Sequence, residues 1–200
     1  MRIDFSHLPE ECEQLLTTLV RKQNGHRAQI IAFEKRDKQW RKVFGPFEAV
    51  IGKKGITSNK KEGDGKTPSG LYPLLMVFGR EEHRVEYMPF VSIHEHLEAI
   101  DDPLSCYYNQ IIDRRLVEVS DWRSSEKMQE VGFLYELGVV IGYNTPHPIA
   151  GKGSCIFLHV YRSLDSGTDG CTALSFKEVK TIAEWLKQDL SPHILQTVSF

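Results

Sequence analysis

Apolar and polar residues exchange along this chain in short runs, and the period of each run predicts its element. Residues 9–23 open with proline and acids and close with basic residues before Asn24-Gly25, the pattern of an amphipathic helix with start and stop signals. Residues 28–33, 39–44 and 47–51 read as short strands, the first two joined by a polar turn over 34–38. Residues 52–70 are rich in Gly, Lys, Asp and Ser with no apolar period, which predicts a loop. Four further apolar runs, 71–78, 87–93, 139–143 and 154–160, are the remaining strong strand candidates. Residues 123–129 predict one or two helical turns leading into the apolar stretch 133–137. The clearest helix spans 175–190, with Ser175 as cap and Glu178 three residues on as in a capping box. Val179, Ile182, Ala183 and Leu186 form its apolar face, and Pro192 closes it. Many short strands with few helices predict a mainly β, α+β domain with a helix near each end.

Two hundred residues fit one domain. Residues 1–44 are expected to add a helix and strands to the unit formed by 45–200. A net charge of −2 gives no reason to expect nucleic acid or an anionic membrane as a partner. No apolar run approaches the ~20 residues of a membrane span. The first eleven residues are acidic and broken by Pro9, without the apolar centre of an export signal.

Candidate chemistry changes the picture near the C-terminal end. Phe157-Leu-His159-Val-Tyr-Arg162 is followed by Ser166-Gly-Thr-Asp-Gly170-Cys171. In strand register Cys155, Phe157 and His159 share one face. A lone strand histidine can be a satisfied core residue, but His159 ends an apolar strand just before a glycine–cysteine turn. There it can take the proton of a thiol, and the resulting thiolate of Cys171 is a nucleophile for acyl transfer. Gly170 lets the backbone bend and lets N–H groups converge as an oxyanion site requires. Thr168 can hydrogen-bond within the turn, Asp169 is expected to face water, and Arg162 is near enough in sequence to hold a substrate carboxylate. A low-pKa Cys171 thiolate is expected, with a backbone carbonyl left to orient His159. The four cysteines show no close ligand pairs, so no metal is expected. Cys155 lies roughly 13 Å from His159 along a strand and reads as core. His94 and His96 alternate onto one strand face without a third ligand and read as surface residues.

The His159–Thr168-Asp-Gly170-Cys171 block resembles the catalytic signature of the L,D-transpeptidases, the YkuD-type family that cross-links peptidoglycan. Gly63-Asp-Gly-Lys-Thr-Pro-Ser-Gly70 is similar to the family's Lys-Thr-Pro-x-Gly segment, and residues 101–109 and 139–144 look like further blocks of one branch. The resemblance covers about residues 45–190. It implies a β-sandwich with residues 52–70 rimming the cleft, and Asn109 and Asn144 shaping it. It also implies peptidoglycan stem peptides as partners, no cofactor, a monomer, and work in the cell envelope, against which the missing export signal stands. The implied reaction is acylation of Cys171 on an L-to-D peptide bond, resolved by a second amine. Resolution by water, giving an L,D-carboxypeptidase or amidase, uses the same residues. A non-catalytic peptide-binding module on the same scaffold is the alternative from another class.

Overall fold

The computed structural model describes residues 4–198, so Met1 to Ile3 of the acidic lead lie outside the described residues. Gln14–Val20 is not a helix but strand β1, with every residue buried. Its reading as a helix fails because a surface helix would hold Thr17 and Thr18 on a polar face, whereas here both are sealed. A run of β-branched and apolar residues buried on both faces is the mark of a central strand. β1 is hydrogen-bonded on both edges, antiparallel to β2 (Arg27–Arg36) and parallel to β14 (His193–Val198).

Chain order continues with β3 (Gln39–Val50), the short parallel pair β4 (Ile56–Thr57) and β5 (Thr67–Pro68), then β6 (Gly70–Gly79) and β7 (Phe90–Ser92). β8 (Leu97–Ile100), β9 (Ile111–Asp113) and β10 (Ser125–Lys127) form a separate three-stranded sheet in the order β10-β8-β9. β11 (Leu137–Ile141), β12 (Phe157–Val160), β13 (Thr172–Leu174) and helix α1 (Phe176–Trp185) complete the elements ahead of β14. The nine-stranded sheet runs β11-β12-β13-β3-β2-β1-β14-β6-β7, and β11 also pairs with β6, so the order returns on itself. Residues 14–50 therefore sit inside the same sheet as the later strands. The fold is mainly β, with one α-helix among the described residues.

Three details differ from the periodicity reading. Residues 39–44 and 47–51 belong to one strand, β3, whose ladder with β2 slips between Ile30 and Ala32, opposite Gly45-Pro46. Pro46 has no N–H for the ladder, and a Cβ on Gly45, at φ +91°, would meet Ile30 O at 2.5 Å. Residues 125–127 are strand rather than helix, because Glu126 pairs with Ala99 across the β8–β10 ladder. The helix α1 starts as predicted: the Ser175 side chain accepts from Glu178 N, and the Glu178 side chain closes the capping box, worth ~1 kcal/mol. It ends at Trp185 rather than Leu190 because Gln14, from β1, intervenes. Gln14 Nε2 donates to Trp185 O at 2.9 Å, and Lys187 N donates to Gln14 Oε1 at 2.8 Å.

Buried Val179, Ile182 and Ala183 of α1 join Leu16, Ile30, Val77, Val139 and Leu158 in the main core. A second cluster, of Phe78, Leu97, Met128, Tyr135 and Phe157, fills the space between the closed sheet and the small one. A 580 Å³ cavity opens between β12–β13 and the segment carrying Glu126 and Tyr135.

Candidate active site

The parallel ladder of β12 and β13 pairs Leu158 with Thr172 and His159 with Ala173. One step earlier, Cys171 therefore stands opposite Phe157. Since side chains alternate along a strand, Cys171, Phe157 and His159 share a face, as the spacing of Phe157 and His159 predicts. Both Cys171 and His159 line the 580 Å³ cavity, as do Thr168, Gly170 and Arg162.

Main-chain atoms hold the sulfur. Phe157 N–H donates to Cys171 Sγ at 3.3 Å, and the thiol donates to Cys155 O at 3.4 Å. The resting thiol proton thus points to a carbonyl rather than to His159. Burial and the nearby Glu126 carboxylate push the Cys171 thiol up to about 12, against the Phe157 N–H and Lys60, which favour the thiolate. The low-pKa thiolate expected from the motif is therefore not the resting state. Buried His159 donates from Nδ1 to Val160 O at 2.8 Å, which fixes the tautomer and leaves Nε2 without a hydrogen. Burial pushes the imidazole down to about 4, opposed by the main-chain contacts with Val160 and Leu134. The resting pair is a neutral thiol and a neutral imidazole.

The turn before Cys171 is fixed from three sides. Thr168 Oγ1 donates to Cys171 O at 2.6 Å and accepts from Gly170 N at 3.2 Å. Thr168 N donates to Ile51 O, and Lys53 N donates to Thr168 O, tying the turn to the end of β3. Thr67, fully buried, donates to Gly170 O at 2.7 Å and accepts from Gly52 N at 2.9 Å. The Thr-Pro-Ser-Gly segment thereby serves as a strut behind the turn. A Cβ on Gly170 would lie 3.1 Å from Lys66 O and 3.3 Å from Ile156 Cδ1, so only glycine fits without displacement. Because Gly170 N–H is committed to Thr168, it is not free as the oxyanion donor that the turn chemistry predicts.

Arg162 is exposed at the cavity rim. Asp169 is exposed too, paired with Lys53 at 2.5 Å. Asn109 and Asn144 do not line this cavity. Asn109, at φ +63°, donates to Tyr143 O and Asn144 O and accepts from Cys155 N, all at 2.8–2.9 Å. Asn144, at φ +54°, closes its own loop by donating to Ile149 O and Gly153 O. Both residues are internal clamps, and Asn109 faces a separate apolar cavity of 450 Å³. Cys155 is buried, and its carbonyl rather than its sulfur meets Cys171. His94 pairs with Asp113 and His96 with Glu95. Away from the cavity, Glu82, His83 and Glu136 bring three potential metal-ligand atoms within 4.8 Å of one another, with Arg80 also paired to Glu136.

Several cavity residues carry no sequence signal. Glu126 accepts a short hydrogen bond from Tyr135 OH, and the Tyr135 ring lies 5.3 Å from that of His159. Burial raises the Glu126 carboxyl to about 7, opposed by the Tyr135 hydrogen bond and reinforced by Asp101, Asp169 and Glu62. Lys60 is buried, with Nζ on Asp64 Oδ1 at 2.6 Å and on Lys61 O at 3.0 Å. Glu62 accepts from Tyr108 OH and Ser154 Oγ. These residues come from four separate loops and strands, so no local spacing could have joined them.

Comparison with known proteins adds the family. The YkuD model, described as L,D-transpeptidase catalytic domain, matches residues 19–195. The search of curated proteins returns no match. Among solved structures, the helical cell shape determining protein Pgp2 from Campylobacter jejuni is similar, at 18% identity and a TM-score of 0.46. The match covers 94% of this chain and 49% of that one, so the chain spans about half the length of the solved protein. No helix among the described residues is long and apolar enough to cross a membrane.

Proposed function

Because the chain belongs to the L,D-transpeptidase catalytic domain family, matched over nearly its whole length, we propose that it performs cysteine-dependent acyl transfer on peptidoglycan stem peptides. The observation that carries this reading is the sulfur of Cys171, held by main-chain atoms in a cavity it shares with a tautomer-fixed His159.

The neutral resting pair makes proton transfer part of the attack. A substrate carbonyl enters beside Cys171, the thiol proton passes to His159 Nε2, and sulfur adds to the carbonyl carbon. Val160 O supports the imidazolium through Nδ1–H, the part a third residue plays in cysteine–histidine systems. The main-chain N–H of Cys171 is the oxyanion donor in this scheme, since that of Gly170 is spent on Thr168. His159 then protonates the departing amine as the C–N bond breaks, leaving a thioester on Cys171. A second amine attacks the thioester, gives its proton to His159, and the thiol is regenerated.

Incubation with a disaccharide-tetrapeptide, read by mass spectrometry, tests the reading. Cross-linked dimers are the expected product. Tripeptide alone assigns an L,D-carboxypeptidase, and unchanged substrate overturns the enzyme reading in favour of a binding module.

A further inference from the structure

We propose that Glu126 determines substrate specificity, its carboxylate receiving an ammonium group on the acyl donor as that donor settles against Cys171. The inference rests on the acyl-transfer reading above and names the group that the cavity selects.

Four observations carry it. Glu126 and Cys171 line the same cavity, and the carboxyl is near enough to act on the thiol electrostatically. Tyr135 OH holds one carboxyl oxygen, Oε2, while Oε1 has no hydrogen-bond partner among the described residues. Asp101, also lining the cavity, keeps Oδ1 sealed from solvent with no partner among the described residues. The cations nearby are committed elsewhere: Lys60 to Asp64, and Lys53 to Asp169. Beside Glu126 the cavity therefore carries the carboxylates of Glu62 and Asp101 with neither lysine paired to them, since the buried cation of the wall, Lys60, is held by Asp64. The exposed guanidinium of Arg162 stands at the rim.

An anion beside a nucleophile that must ionise is an obstacle to the reaction unless substrate neutralises it. An ammonium on Glu126 does so, because opposite charges a few ångströms apart in a partly desolvated site interact strongly. The same contact that recognises the amine therefore eases ionisation of Cys171. Selectivity then enters through the chemical step as well as through binding. A donor carrying both an ammonium and a carboxylate, the first on Glu126 and the second toward Arg162, fits both ends of the cavity. A donor residue whose side chain bears both a free amine and a second, free carboxylate has that chemistry, its other carboxyl supplying the carbonyl that Cys171 attacks.

The test uses two thiol reagents of opposite charge, trimethylammonioethyl and sulfonatoethyl methanethiosulfonate, with modification read at Cys171 by peptide mass spectrometry and each rate divided by that of a free small thiol. The wild type is expected to favour the cationic reagent over the anionic one about tenfold more than Glu126→Gln does, the scale of one charge at short range. An equal preference in the two proteins overturns the proposal. Tyr135→Phe, which keeps the carboxylate, retains the preference. If Glu126→Gln does not fold, the same ratio in the wild type at pH 8 and pH 5.5 decides. Thiolate fraction cancels in the ratio, and protonation of Glu126, whose carboxyl burial raises to about 7, is expected to lower the preference; Glu62, Asp101, Asp169, Lys60 and Arg162 also face the cavity. A second arm compares tetrapeptides whose diamino-acid amine is free or acetylated. The wild type is expected to prefer the free amine about tenfold in kcat/KM, on the same electrostatic scale, and Glu126→Gln is expected to lose that preference. Equal turnover of both peptides by the wild type overturns the inference and leaves acyl transfer standing. Turnover of neither removes the acyl-transfer reading, and the reagent ratio still decides whether Glu126 reads a cation.

Discussion

The two walls of the cavity that holds Cys171 and His159 are built from different materials. On the β12–β13 wall, main-chain groups of Cys155 and Phe157 hold the Cys171 sulfur, and the hydroxyls of buried Thr67 and half-buried Thr168 lock the turn. On the opposite side Glu126 and Asp101 line the cavity, and carboxylates that do not line it frame the small sheet behind them. Glu98 takes Trp122 Nε1, Ser125 Oγ and Lys127 Nζ; Asp102 takes the N–H groups of Leu104 and Arg123; Glu126 takes Tyr135 OH. The first wall contains almost nothing that titrates near neutrality, so its geometry is set once by folding. On the second, Glu126, its carboxyl raised to about 7 by burial, is the group whose charge follows pH near neutrality. The placement of the Cys171 sulfur and the electrostatics that act on its ionisation thereby come from separate parts of the chain.

Changes on the main-chain wall should have the largest consequences. Cys171→Ala and Cys171→Ser are expected to lose turnover by ~10⁴ or more while the melting temperature stays close to that of the wild type. Residual activity in Cys171→Ala above a hundredth of the wild-type rate would remove the nucleophile from the scheme. Next comes Thr67→Val, which deletes the hydroxyl between Gly52 N and Gly170 O. Leaving those buried groups unpaired costs ~1–3 kcal/mol, and because the turn carries Cys171, kcat is expected to fall along with stability in urea. A variant that loses stability but keeps kcat would show the strut to be structural only.

The carboxylate framework behind the second wall should answer to acid. Burial pushes the Glu98 carboxyl up, but Lys127, Ser125 and Trp122 together hold it below the usual glutamate range. A carboxyl depressed in the folded state stabilises it above the unfolded pKa, and that stability is lost as pH falls through the lower folded value. Glu98→Gln is therefore expected to cost ~1–2 kcal/mol at pH 7, in line with charge-assisted hydrogen bonds. The gap between the two proteins should close on acidification below about pH 4, a range set by the model-peptide glutamate. A gap independent of pH would deny the carboxylate its role. The smallest effect belongs to the ligand-free thiol. With Cys171 held up to about 12 and His159 down to about 4, alkylation should climb with pH without a plateau near neutrality. His159→Gln should leave that profile nearly unchanged. A neutral-pH plateau that His159→Gln abolishes would mean a preformed ion pair.

What could be read from the sequence follows the same division. The face shared by Phe157 and His159, the Gly170-Cys171 turn and the Ser175–Glu178 cap all depend on near neighbours, and their local pattern predicts them. β1 misleads because its burial on both faces is imposed by β2 and β14, which lie far off in the chain. The early end of α1 is set by Gln14, also remote. Asn109 and Asn144 stand out locally as turn residues, yet only the structure shows them clamping loops instead of lining the cavity. Glu126 was unreadable for another reason. Its significance comes from Tyr135, Asp101 and Cys171 converging on it, and nothing in Ser125-Glu126-Lys127 records that.

The place of β14 in the sheet has a bearing on biosynthesis. It lies between β1 and β6, pairing Leu15 with His193 on one side and Tyr72 with Ile194 on the other. A ribosome releases residues 193–198 after every other strand described here. Until they emerge, β1 and β6 each present an open row of hydrogen-bonding groups, and such edges recruit other chains. Contacts this distant in sequence also form slowly. A nascent chain therefore has every residue of the Cys171–His159 pair in hand well before it can hold them in place. Its exposure to proteases and to aggregation is concentrated in that interval, when chaperone capture of the β1 and β6 edges would matter most.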